Sequence, residues 1–177
     1  INRSYCHVAA IDNDIVLGFS AIKGVWTEVG EFIQKEREKS WPYSSLEDFL
    51  KRCAPVINKK SLEGLVKAWA LDQVKDRKII LDNVEIVLEW IKSSANADQG
   101  LFWDLQSYIV FKKQTPSTLM ERLMMEQEVF SCFLSGNPLD GLYPWIKKTS
   151  LFYSQINEKF QGNFTLVCYV KGFVKAK

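Results

Sequence analysis

The sequence has few of the residues from which metal sites and nucleophilic catalysts are built. It contains one histidine, His7, and four cysteines among its 177 residues. The cysteines form no C-x-x-C pair, so no zinc site can be assembled from ligands at short spacing. We interpret them as buried free thiols of a reducing cytoplasm, and His7 as a strand residue rather than a catalyst. The cysteines are Cys6, Cys53, Cys132 and Cys168.

Long apolar runs and a strong excess of one charge are also missing. No apolar run approaches the roughly 18 residues that span a membrane, and the N-terminus has no basic segment followed by an apolar one. We therefore expect a cytoplasmic protein without a membrane partner. The formal net charge is only +2, so total charge does not identify a partner. Because the chain begins with isoleucine, we expect a piece of a longer protein.

Apolar residues at helical spacing are what the sequence does contain, and they predict a mainly α-helical fold. Two apolar runs around an Asp-Asn-Asp turn predict a small β-hairpin near the N-terminus. In the helix after Pro116 we expect Leu119, Met120, Leu123, Met124 and Phe130 to face the core. Strands are predicted at 7–11, 15–17 and 164–170, one helical turn at 19–22 and a polar linker at 93–100. Helices are predicted at 27–39 with Thr27 as N-cap, after Ser45, after Asn58, at 77–92, after Pro116 and at 144–155.

One part of the chain is more basic than the rest. Residues 51–78 contain eight lysines and arginines but only three acidic residues. Such a stretch can face an anion, although many basic stretches are simply solvated helix faces.

A short hairpin, Lys23-Gly24-Val25-Trp26, connects the helical turn at 19–22 to the next predicted helix. This pattern is typical of a helix-hairpin-helix motif, although an ordinary pair of helices joined by Lys-Gly has it too. The start of a helix exposes free backbone N–H groups that bind phosphate oxygens, and glycine lets the backbone approach closely. Phosphate contacts carry no base information, so we expect binding without sequence preference. The predicted DNA-binding residues are Lys23, Gly24, Val25, Trp26 and Thr27, assisted by Lys59, Lys60 and Lys67.

Several short stretches recur in a familiar order along almost the whole chain. They are residues 1–4 (INRS), 17–25 (LGFSAIKGV), 36–39 (EREK), 45–49 (SLEDF), 58–68 (NKKSLEGLVKA), 70–72 (ALD) and 134–140 (LSGNPLD). In this order they resemble the alpha-subunit family of bacterial DNA polymerase III, in the region after the fingers domain. The family has histidine where Asn137 stands here.

The resemblance implies a domain organisation. Residues 1–18 would be the tail of the fingers domain, 19–150 a tandem helix-hairpin-helix bundle that binds DNA, and 158–177 the start of an OB-fold. The expected partners are double-stranded DNA and the other domains and subunits of the replicative polymerase.

The resemblance also implies that this piece is not catalytic. The carboxylates that hold magnesium in the parent polymerase would lie upstream, so we expect no catalytic residue, metal or cofactor here. Asp12 and Asp14 are better explained as turn residues than as a metal pair.

Four tryptophans occupy positions where the family has glycine: Trp26, Trp41, Trp69 and Trp103. One hypothesis unites them, namely that the source reads the codon UGA as glycine. Four glycines added to the nine present would give 13 of 177, roughly the average share of 7%. The alternative is that these are genuine tryptophans that fill the core or stack on a partner.

Two other functions compete with DNA binding by a polymerase. A protein-docking helical module could use Met120, Met124 and Met125 as an adaptable apolar surface, although methionines at this spacing are usually core. A helix-hairpin-helix glycosylase or lyase would need a catalytic aspartate or lysine facing a base pocket, and the sequence assigns none.

Overall fold

The computed structural model describes residues 1–11, 13–96, 108–140 and 168. The chain divides into two units, Ile1–Cys132 and Phe133–Lys177. The helices and strands below all lie in the first unit. None of the described helices is long and apolar enough to cross a membrane. The predicted helix at 144–155 lies outside the described residues, as do the predicted strand at 164–170 and the start of the OB-fold except for Cys168, which is exposed and in no strand.

The chain begins with the predicted β-hairpin. Strands β1 (Ala9–Ile11) and β2 (Asp14–Val16) pair antiparallel, with Ala9 opposite Val16. Asn13 adopts a φ of 71° in the turn, a conformation that asparagine tolerates better than most residues. A 3₁₀ turn, Phe19–Ala21, follows, so the helical turn predicted at 19–22 is confirmed.

Six α-helices lie in the described residues. They are α1 (Thr27–Ser40), α2 (Leu46–Cys53), α3 (Lys59–Lys67), α4 (Arg77–Asp82), α5 (Val84–Asn96) and α6 (Leu119–Phe130). The mainly α-helical fold with a small N-terminal β-hairpin is therefore confirmed.

Short-range side-chain caps begin four of these helices, α2, α3, α4 and α6. The Ser45 hydroxyl accepts the Asp48 N–H at 3.1 Å, and the Asn58 side chain accepts the Ser61 N–H at 3.0 Å. The predicted caps of α2 and α3 are confirmed. Thr118 caps α6 in a reciprocal box with Glu121. The predicted cap of α1 was wrong, because Thr27 is already helical and Trp26 stands at the N-cap without a capping side chain.

The single helix predicted at 77–92 is broken at Asn83, between α4 and α5. The Asn83 side chain is buried and holds a distant segment. Its Oδ1 accepts the Lys112 N–H at 2.9 Å, and its Nδ2 donates to the Lys113 carbonyl at 2.8 Å. The break therefore reflects a tertiary contact. Helix α5 also continues to Asn96, so part of the predicted linker at 93–100 is helical.

The core of the first unit is made by one apolar face of each helix. Its most buried members include Phe19, Ile33, Phe49, Leu50, Leu62, Leu65, Leu71, Ile80 and Val87. The predicted inward face of α6 was partly wrong. Leu123 is buried, but Leu119 and Met120 are 55% and 45% exposed. Glu126 is fully buried instead, because it pairs with Arg77 at 3.2 Å.

Candidate functional site

The hairpin between the 3₁₀ turn and α1 is built around Gly24. Gly24 has a φ of +95°, a region that favours glycine, so the chain reverses here at little cost. Ile22 and Val25 on either side are buried. The Val25 N–H donates to the Ile22 carbonyl at 3.1 Å and closes the turn.

Glycine at position 64 lets the hairpin lie directly on α3, and Gly24 lies against the same helix. A Cβ atom on Gly64 would stand 3.1 Å from the Lys23 carbonyl oxygen and 3.2 Å from a Val25 methyl. A Cβ atom on Gly24 would stand 3.4 Å from the Lys60 carbonyl oxygen and side chain. The structure therefore brings Lys60 beside the predicted hairpin, as a contact between elements that are distant in sequence.

The backbone amides of the hairpin divide into two groups. The Lys23 N–H donates to the Val129 carbonyl at 3.2 Å, and the Val25 N–H is used in the turn. Gly24, Trp26 and Thr27 donate no backbone hydrogen bond within the described part of the chain. Three of the five predicted amides thus remain available to a ligand. They lie at the start of α1, where the helix dipole is positive.

The predicted lysines also divide into two groups. Lys23 and Lys60 are exposed, and neither forms an ion pair with any described acidic residue. Lys59 and Lys67 are paired, at 2.5 Å each, with Glu85 on α5 and Glu128 on α6. The hydrogen bond and charge of Glu85 raise the pKa of Lys59.

No local pattern in the sequence indicated these two glutamate partners. Glu85 lies 26 residues from Lys59, and Glu128 lies 61 residues from Lys67. The Val129 carbonyl that takes the Lys23 amide belongs to α6 as well. Helix α6 therefore helps to fix the hairpin, a role that local spacing could not reveal. Glu28 is exposed in the first turn of α1, and its negative charge repels an anion at the start of this helix.

The backbone at Trp26 differs from the sequence-based expectation. Its φ is −77° and its ψ is 154°, an extended conformation open to any residue. The backbone at Trp26 therefore does not itself require glycine, although the resembled family has glycine at this position. The indole is 65% exposed and stands beside the available amides.

Trp41 and Trp69 do occupy glycine-like conformations. Trp41 ends α1 with a φ of 68° and a ψ of 171°. Trp69 has a φ of 50° just after α3. There its N–H donates to the Val66 carbonyl, while the Ala70 N–H donates to the Leu65 carbonyl, as in a Schellman motif. Trp103 lies outside the described residues.

Metal ligands do not gather in the described part of the chain. There, no group of three or more histidine, cysteine, aspartate or glutamate residues could hold a metal ion. Asp12 lies outside the described residues, so its pairing with Asp14 is untested.

Comparison with known proteins agrees with the hairpin. Residues 1–80 match a family described as a helix-hairpin-helix motif. The DNA polymerase III subunit alpha of Thermus aquaticus is 34% identical over 155 residues, which make up 85% of this chain and 12% of that protein. The corresponding subunit of Borreliella burgdorferi is 34% identical over 169 residues, 87% of this chain and 14% of that protein. That of Campylobacter jejuni is 30% identical over 92% of this chain and 15% of that protein. The chain therefore spans less than one sixth of the length of these relatives.

Proposed function

Because this chain is a homologue of one segment of bacterial DNA polymerase III alpha subunits, with a helix-hairpin-helix motif in residues 1–80, we propose that it serves a replicative polymerase by holding duplex DNA. In this proposal the other partners are the remaining domains and subunits of that polymerase, in the cytoplasm. Chemistry and magnesium binding belong to segments outside this chain.

The available amides at the start of α1 carry the proposal. Gly24, Trp26 and Thr27 present N–H groups that have no backbone acceptor among the described residues, at the positive end of a helix of 14 residues, an arrangement that suits a phosphate oxygen. Lys23 and Lys60 place two exposed ammonium groups beside the same turn. These groups contact only the phosphate backbone, so the binding is insensitive to base sequence.

The paired lysines contribute less than the sequence predicted. Lys59 and Lys67 are partly neutralised by Glu85 and Glu128, and they could bind phosphate only by breaking those pairs. We therefore propose that Lys23 and Lys60 are the main cationic contacts.

Neighbouring lysines on α3 offer a matched test. The affinity of Lys60→Gln, Lys59→Gln and the parent for two unrelated labelled duplexes is measured by fluorescence anisotropy at several salt concentrations. Each phosphate contact contributes about −0.9 to the slope of log K against log salt. We expect the slope of log K against log salt to be shallower in Lys60→Gln, by about the contribution of one phosphate contact. Lys59→Gln should change it little. A flat salt response of the parent, or a strong preference for one duplex, would contradict the proposal.

A protein-docking role remains the second candidate because the start of α6 is apolar and exposed. Leu119 and Met120 stand more than two fifths exposed, while Met124 and Met125 are half-buried. Docking on this face would depend little on salt, whereas duplex binding falls steeply with salt. If Met120→Ala loses binding to a partner protein while the salt slope of duplex binding stays unchanged, the docking role is favoured.

A further inference from the structure

A second surface of the first unit lies on the segment between α5 and α6. Residues 108–113 alternate between outside and inside: Tyr108 and Val110 are 81% and 80% exposed, whereas Ile109 is buried. Lys112 and Lys113 are both exposed. The segment therefore exposes one aromatic ring and two ammonium groups, those of Tyr108, Lys112 and Lys113, which we call the outer row.

The outer row is held in place by side chains from three directions. The Ile109 N–H donates to Glu47 Oε1 at 3.3 Å, and the Lys112 and Lys113 N–H groups donate to Asn83. Downstream, the Ser117 N–H donates to Asp76 at 3.0 Å. A segment tied in this way keeps a fixed conformation, so a ligand need not order it on binding.

Beside Tyr108 lies an open cleft of about 390 Å³. This volume falls within the roughly 300–1,000 Å³ of small-molecule sites. Its lining includes Ser45, Glu47, Gln73 and Lys75 together with the Tyr108 and Phe111 rings. The Gln73 amide can donate and accept hydrogen bonds with a base edge. Lys75 Nζ stands 4.7 Å from the centre of the Phe111 ring.

From this combination we propose that the cleft and the outer row form a binding site for single-stranded nucleic acid. One unpaired base stacks on Tyr108 at the cleft, and Lys75, Lys112 and Lys113 attract the phosphates beside it. Aromatic faces with basic side chains along a groove are the usual means of binding single strands. A base in a duplex is stacked and paired, so only an unpaired base can enter. The site shares no residue with the hairpin. Single-strand binding can therefore be lost while duplex binding is kept, and duplex binding can be lost while single-strand binding is kept.

The experiment compares a short labelled oligothymidylate with the same backbone carrying abasic sites, by anisotropy, in the full 177-residue chain. We expect the parent to bind the oligothymidylate about tenfold more tightly than the abasic strand, the scale of one stacked base. Tyr108→Ala should remove most of that difference, and Tyr108→Phe should keep it. Equal affinity of the parent for the two strands would overturn the proposal, and so would an unaffected Tyr108→Ala.

Two controls separate this site from the rest of the molecule. Lys112→Glu should weaken single-strand binding more than Lys39→Glu, which makes the same charge change on α1. Tyr108→Ala should leave duplex affinity and the melting temperature unchanged, because its side chain is largely exposed. An equal loss of duplex affinity in Tyr108→Ala, or equal effects of the two lysine variants, would contradict a separate single-strand site.

Discussion

Trp41 and Trp69 carry the clearest backbone strain at the residue scale. A bulky residue at a φ near +60° is a steric outlier, and the combination of φ and ψ at Trp41 is one that glycine occupies almost alone. Trp41 is 83% exposed, so its side chain contributes little packing in return. Trp69 is different, because its ring lies 5.3 Å from Phe130 and 5.6 Å from the Arg77 guanidinium.

Replacing Trp41 with glycine should therefore stabilise the fold. Relief of strain contributes about 1–3 kcal/mol, and the greater freedom of glycine in the unfolded chain removes about 0.4–1 kcal/mol. We expect a net gain of about 1 kcal/mol, measured by urea unfolding. In Trp69→Gly the lost contacts with Phe130 and Arg77, about 0.5–1.5 kcal/mol each, offset most of the gain. A less stable Trp41→Gly would show that the strain is not released.

The codon hypothesis makes a separate prediction about the natural protein. If the source reads UGA as glycine, peptide mass mapping of the protein from that source will find glycine at 26, 41, 69 and 103. The conformations of Trp41 and Trp69 support this expectation, and the backbone of Trp26 is neutral. Tryptophan masses at 41 and 69 would refute the hypothesis.

Trp26 is expected to interfere with phosphate binding through its side chain rather than its backbone. The indole is 65% exposed beside the amides of Gly24 and Thr27. Trp26→Gly should raise duplex affinity several-fold, measured by anisotropy, with little change in melting temperature. A lower affinity would mean that the indole contacts the DNA, and the hairpin assignment would need revision.

At the scale of elements, a buried ionic cluster joins the loop after α3 to α6. Arg77 donates to Asp72 at 2.8 Å and pairs with Glu126 at 3.2 Å, and the side chains of Arg77 and Glu126 are 5% and 0% exposed. Burial by itself lowers the pKa of Arg77, but the hydrogen bonds and charges of Asp72 and Glu126 together outweigh it and raise the pKa. Removing one member leaves an uncompensated buried charge.

Arg77→Ala should accordingly destabilise the first unit by about 3–5 kcal/mol. The measurement is urea unfolding followed by circular dichroism. Lys78→Ala, one residue away, breaks the more exposed pair with Glu121 and serves as the control, for which we expect a much smaller loss. Similar losses of unfolding free energy in the two variants would show that burial does not determine how strongly the Arg77 cluster stabilises the fold.

At the scale of the whole molecule, we predict that this chain alone does not extend a primer. The chain matches less than one sixth of its relatives, and its described residues hold no cluster of metal ligands. Incubation with primed template, nucleotides and magnesium should leave the primer length unchanged. Template-dependent extension by the pure chain would place catalytic residues within it.

The starts of α2 and α3 could be predicted from sequence because their causes are local. Ser45 and Asn58 cap amides only three residues ahead, so the residues and their spacing contain the whole interaction. The hairpin at Gly24 was predictable for the same reason. It is a short turn in which one residue must adopt a positive φ.

Tertiary structure alone decided the remaining features, because each depends on residues far apart in the chain. Asn83 breaks a helix in order to bind a segment about 30 residues away. Glu126 is buried because Arg77, 49 residues distant, neutralises it. Lys60, beside the hairpin, forms no ion pair with any acidic residue that the structure describes, while its neighbour Lys59 pairs with Glu85 on α5. Periodicity and spacing describe only contacts along the chain, whereas the packing of α3 against its neighbours determines which charges remain available.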